Sequence, residues 1–141
     1  MDDQHAAAAF RYLSRDDLLD LHTFALERFG GSPGIKSQDR LLAVIEAPHQ
    51  VMFGTELYPD PASKLAVFIG MLLSSRPFVA ANEATALLAL LRLLDLNQFS
   101  LPPSVDDDDD QLVRRLRQLI TGSLSRDDFA EWLRSNLGAL S

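Results

Sequence analysis

Two long apolar segments with one break between them set the terms on which this chain can fold. Residues 61–75, PASKLAVFIGMLLSS, and residues 82–96, NEATALLALLRLLDL, consist almost wholly of Leu, Ala and other apolar side chains. A helix that is apolar over most of its circumference has to be surrounded by other elements, so the pattern predicts a central helical pair. Asp60 followed by Pro61 reads as an N-cap with proline at the first helical position, and Pro77 stops that helix near Ser75. In the second segment the polar exceptions Thr85, Arg92 and Asp95 fall on one narrow stripe, where Arg92 and Asp95 are spaced as a local ion pair. The longest apolar run, Leu65 to Leu73, is far short of the ~20 residues a membrane span needs.

The punctuation elsewhere is helical too. Ser14 with Asp17 forms a capping box for a helix over 15–29, in which Leu18, Leu21, Ala25 and Phe29 recur at helical spacing before Gly30 and Gly31. Ser37 caps a short helix carrying Leu41, Leu42, Val44 and Ile45, which the approach to Pro48 ends. Residues 48–59, PHQVMFGTELYP, read as an ordered loop or small flap. After FSLPPS the acidic run Asp106 to Asp110 leads a fifth helix ending near Gly122, and Ser125 with Asp128 caps a sixth, closed by Gly138. The expected class is all-α: six helices in one domain over 12–138, preceded by a flexible tail over 1–11, with no internal repeat.

Composition excludes several functions. The chain has 141 residues, no cysteine and three histidines, which removes disulfide scaffolds and thiolate metal sites and leaves little for a transition metal. A formal charge of −7 argues against nucleic acid or anionic lipid as the main partner and favours a basic protein surface. The N-terminus lacks the features of a signal peptide, so a cytoplasmic protein is expected, and the excess of Arg over Lys suggests a GC-rich bacterial genome. The five consecutive aspartates lack the alternating ligands and turn glycine of a calcium loop. They suit a solvated linker at a helix N-terminus. His22 and His49 have no carboxylate or second histidine at ligand spacing and read as structural or surface residues.

The break itself, RPFVAANEAT (76–85), is the one candidate site. By composition it is a helix corner: Pro77 stops one helix, Phe78 and Val79 fill the core, and Asn82 caps the next. The same arrangement can also present backbone N–H groups to an anion.

The stretch resembles the signature of the Fic/Doc (Fido) family, H-x-F-x-D/E-G/A-N-x-R, with H-P-F-x-D-G-N-K-R-T common in its death-on-curing branch. Pro77, Phe78, Asn82 and Thr85 match. ERFGGSPGI (27–35), FGTELYPD (53–60) and LLRLLDLNQFSL (90–101) resemble that branch in order and spacing, so the resemblance implies a six-helix Fido domain. It further implies a loop that binds nucleotide phosphates and transfers AMP or phosphate to a protein hydroxyl, with Phe78, Ala81, Asn82 and Thr85 as the retained loop positions. Four positions depart from the pattern. Arg76 stands for the histidine base and cannot accept a proton. Ala80 stands for the carboxylate that helps hold Mg²⁺, while Glu83 and Ala84 stand for the lysine and arginine that hold phosphates.

Phosphoryl transfer depends on positioning and charge neutralisation, so these departures point to a catalytically silent homologue. It would need no cofactor and no metal and would act by binding protein, with an antitoxin-like helix as the partner that the resemblance implies. The rival expectation is a nucleotide-dependent transferase with residual activity through ATP, Mg²⁺ and a base supplied by His22 or His49.

Overall fold

The computed structural model describes residues 9–101 and 111–139. Its helices are α1 (Arg15–Phe29), α2 (Gln38–Glu46), α3 (Pro61–Ser75), α4 (Asn82–Leu96), α5 (Gln111–Thr121) and α6 (Arg126–Asn136). The all-α expectation holds. Strands are confined to two small antiparallel pairs, β1 (Val51–Met52) with β2 (Thr55–Glu56), and β3 (Phe99–Ser100) with β4 (Gly138–Ala139). The acidic run falls outside the described residues. Among the described residues no helix is long and apolar enough to cross a membrane.

The core is organised around α3, nine of whose fifteen residues are buried. Its neighbours are α2, α4, α5 and α6, while α1 packs on α4. Leu65, Phe68, Ile69 and Leu72 of α3 meet Leu90 and Leu93 of α4 and Phe129 and Leu133 of α6 in one cluster. Gly70 sits where the stem of Arg126 crosses α3: a Cβ there would lie 2.7 Å from the arginine Cδ. Within the segment 1–11, Phe10 packs against the core. Arg11 is held there too: its N–H donates to Asn97 Oδ1 at 2.7 Å, and its carbonyl accepts from Asn97 Nδ2 at 3.0 Å.

Several local expectations need correction. The Ser14–Asp17 capping box is complete, but at α6 Ser125 Oγ accepts from the Asp128 N–H without the reciprocal bond. Asp60 precedes α3 without capping it by its side chain. Its carboxylate instead accepts from Ser63 Oγ and from Arg134 of α6, at 2.7 Å and 2.9 Å. Burial opposes ionisation of Asp60, yet these hydrogen bonds outweigh it and keep its pKa below the usual value. Pro48 does not end α2 abruptly, because a 3₁₀ turn over Ala47–His49 carries the chain on. Gly138 is no helix cap: Leu137 ends α6, and Gly138 pairs with Ser100 in the β3–β4 ladder. The polar stripe of α4 is split, since Thr85 is fully buried whereas Arg92 and Asp95 form the expected exposed pair at 3.2 Å.

The α1 cap yields a test with a defined sign. Hydrogen bonds from the Ser14 backbone and hydroxyl lower the pKa of Asp17 below its ordinary 3.8. This stabilisation is therefore complete above the unfolded-state value and is lost as pH falls through the lower folded-state value. Asp17→Asn should cost about 0.5–1 kcal/mol in urea unfolding at neutral pH, and the difference from the wild-type chain should shrink as the pH drops below 4. A difference that persists in acid would refute the assignment.

Candidate functional site: the loop between α3 and α4

Helix α3 ends because Arg76 turns into the left-handed region at φ +50, ψ +66. Its N–H still donates to the Leu72 carbonyl at 3.2 Å, and Arg40 of α2 donates to the Ser75 carbonyl at 3.2 Å. The next helix begins after Ala81, also left-handed at φ +63, ψ +29. Two non-glycine residues in this region, five positions apart, mean that the surroundings force the loop into shape.

Those surroundings can be named. Segment 34–37 runs against the loop: the Val79 N–H donates to the Gly34 carbonyl at 3.1 Å, and the Lys36 N–H donates to the Pro77 carbonyl at 2.7 Å. Ile35 and Phe78 form the bridge between the two chains. Gly31, at φ +120, lies so close that a Cβ there would sit 3.0 Å from the Ala80 methyl carbon. The ERFGGSPGI segment is therefore the wall on which the loop is built.

Asn82 closes the loop from inside. It is 1% exposed. Its Oδ1 accepts from the Phe78 N–H at 3.1 Å, and its Nδ2 donates to the Phe78 carbonyl at 3.0 Å. The expectation that Asn82 caps α4 is thus corrected: it is the first helical residue, Ala81 holds the N-cap position, and the amide reaches back across the turn. Thr85 Oγ1 likewise donates to the Ala81 carbonyl at 2.6 Å. Phe78 is buried as expected, whereas Val79 points outward at 53% exposure and fills no core.

Beneath the loop lies His22 of α1. Its ring stacks on Phe78, with centroids 3.8 Å apart and planes 8° from parallel. Its Nε2 is 3.0 Å from the Ala80 carbonyl oxygen. A carbonyl can only accept, so Nε2 carries the proton and donates. Sequence spacing had no means of linking residues 22 and 80. His49, the other candidate base, sits in the 3₁₀ turn with its ring 3.8 Å from that of Tyr12, the two planes tilted by 31°.

The outer face of the loop holds its charges. Arg76 Nη1 lies 2.8 Å from Glu83 Oε1, with both side chains about half exposed. The hydrogen bond from Arg76 is the main reason that the Glu83 carboxyl titrates below its ordinary value, and its own backbone N–H adds to the effect. The contribution is lost as pH falls through that lowered value, and an exposed pair of this kind is worth at most about 1 kcal/mol. In the sequence Arg76 and Glu83 are separate departures from the motif; in the fold they join. Ala80 and Ala84 present only methyl groups. Among the described residues there is no cluster of three or more His, Asp or Glu side chains that could hold a metal ion.

Unpairing the buried loop should be costly. Asn82→Ala orphans a buried N–H and a buried carbonyl, so a loss of about 2–4 kcal/mol in chemical denaturation is expected. A loss under about 0.5 kcal/mol would mean that the two bonds do not hold the turn.

Known proteins resemble this chain in sequence. The model of the Fic/DOC family matches residues 12–94, more than half of the chain. Toxin Doc of Mycolicibacterium smegmatis (strain ATCC 700084 / mc(2)155) is 29% identical over 97 residues, covering 69% of this chain and 72% of that protein. On the match to the family model, which spans both the loop and the helices that build it, the chain belongs to the Fic/DOC family.

Proposed function

We propose that this chain is a Doc-like protein whose transferase site is silent and whose activity is the binding of another protein. The observation that carries the reading is the Arg76–Glu83 ion pair. The two side chains that replace the family's base and one of its phosphate-holding cations neutralise each other across the mouth of the loop. An incoming phosphate would have to break that pair and then face the Glu83 carboxylate, which opposes it. The donor set does not fit a magnesium nucleotide either: Ala80 has no oxygen to give the metal, and Ala84 has no charge to give the phosphates. Electrostatic stabilisation of that kind is the larger part of phosphoryl-transfer catalysis.

A basic or helical partner suits a surface of net charge −7, and the name of the M. smegmatis relative, Toxin Doc, places that protein in a toxin context. We extend this to an antitoxin-like protein as the partner class here, without nucleic acid or membrane.

One observation favours the rival reading, a residual ATP- and Mg²⁺-dependent transferase: a histidine does lie at the loop. Yet His22 is 5% exposed, its Nε2 proton is committed to the Ala80 carbonyl, and its face is covered by Phe78. A general base has to reach the attacking hydroxyl.

The purified protein should transfer neither AMP nor phosphate to a protein substrate from labelled ATP with Mg²⁺. Restoring Arg76→His, Ala80→Asp, Glu83→Lys and Ala84→Arg together should raise ATP affinity at least about tenfold by calorimetry, because the loop that holds these positions is intact. Label transfer by the wild-type chain that His22→Phe abolishes would reverse the ranking of the two readings.

A further inference from the structure

Residue 80 is gripped from two sides. A Cβ at Gly31 would lie 3.0 Å from the Ala80 methyl carbon, and the Ala80 carbonyl accepts from His22 Nε2 at 3.0 Å. Its neighbours are fixed by other groups. Asn82 holds the N–H and the carbonyl of Phe78, the Val79 N–H donates to Gly34, and the Ala81 carbonyl accepts from the N–H and Oγ1 of Thr85. Among the described residues, the peptide joining Ala80 to Ala81 takes part in one hydrogen bond, the one from His22.

The orientation of that peptide sets the conformation of the residue after it. Turning a planar peptide over changes the preceding ψ and the following φ by roughly 180°. Ala81, held at φ +63, would then fall in the negative range that suits an L-residue. Left-handed backbone is unfavourable for alanine, so Ala81 would relax in that direction unless the Ala80 carbonyl were held. His22 has the means to hold it. The residue is 5% exposed, and its ring lies flat on Phe78, 3.8 Å away and 8° from parallel. The donor is therefore oriented in advance, on a ring with little freedom to turn.

We propose that His22 is the positioning residue of the loop at 76–85: its Nε2 proton fixes the Ala80 carbonyl inward and thereby holds Ala81 in the left-handed turn from which α4 starts. The role is one of donation. A group that gives its proton to a carbonyl needs no ability to accept one, so the role is independent of whether the transferase site is silent.

Three substitutions in the full chain separate positioning from packing. His22→Phe keeps an aromatic ring against Phe78 and removes the donor. His22→Gln keeps an N–H donor of similar reach and cannot act as a base. Ala81→Gly removes the penalty of a positive φ. The three-bond coupling between the amide and α protons of Ala81, measured by NMR, reports φ directly. It should keep its left-handed value in the wild type and in His22→Gln and move to a negative-φ value in His22→Phe. In urea unfolding, Ala81→Gly should leave the folding equilibrium constant of the wild type unchanged or raise it. In the His22→Phe background it should lower that constant about threefold, because glycine is unfavourable where φ is negative. In the chain with the four motif residues restored, His22→Phe should remove the gain in ATP affinity and His22→Gln should retain it. If that restored chain shows no gain, the reading of the loop under Proposed function fails, while the coupling and the unfolding data still decide the role of His22. If His22→Phe does not fold, His22→Gln and the ring tautomer decide. An Ala81 coupling that His22→Phe leaves unchanged, or that turns to the negative-φ value in His22→Gln, would overturn the assignment. So would an equal effect of Ala81→Gly in both backgrounds, or a His22 ring protonated at Nδ1 alone.

Discussion

The buried residues of α3 include every position from Lys64 to Ile69, so they face outward in all directions around the helix axis. Such a helix is stable only inside a shell of other elements, because burial of its apolar surface is the dominant favourable term. Most of the architecture follows from that demand. Helices α2, α4, α5 and α6 and the 3₁₀ turn all pack on α3, and α1 closes over α4. The two ends of α3 are then the places where the chain has to leave the core. Its start is tied to α6 by Asp60 and Arg134, and its end opens into the loop at 76–85.

At that end the loop owes its shape to the main chain and to Asn82, and the side chains that vary chemically sit outside the arrangement. The Asn82 amide, the carbonyls of Gly34 and Pro77 and the stack of His22 on Phe78 all act on the inner face. Arg76, Ala80, Glu83 and Ala84 contribute none of these inner contacts by their side chains. A loop organised in this way can change its outer chemistry without losing its conformation, which accounts for a well-built turn carrying residues unlike those of the motif it resembles.

The parts of the structure legible in the sequence are those governed by local rules. Proline at 61 and 77, the Ser14–Asp17 box and the two Leu/Ala segments place helices to within a residue or two, since capping and periodicity act over one or two turns. The motif residues locate the loop for the same reason, being contiguous. What escaped were pairings across the fold. Asp60 looks like a cap until Arg134, 74 positions away, takes its carboxylate. His22 has no partner in sequence because its partners are Phe78 and Ala80. Gly138 reads as a helix stop, yet it lies opposite Ser100. Val79 is apolar enough for the core, but hydrophobicity does not say which face of a bridged segment is turned inward.

The Arg76–Glu83 pair shows how such a pairing alters a chemical reading. Taken singly, Arg76 is a cation beside a helix N-terminus, and that is an invitation to an anion. Glu83, the second residue of α4, supplies the anion from within the chain at 2.8 Å. An external phosphate competes with a carboxylate whose effective concentration is set by the polypeptide itself, and intramolecular ligands of that kind win against dilute ones. Half exposure of both side chains keeps the pair weak as a stabiliser of the fold. On the function proposed above, the same pair would exclude a ligand, because exclusion requires only that the site's own charge be satisfied before the ligand arrives.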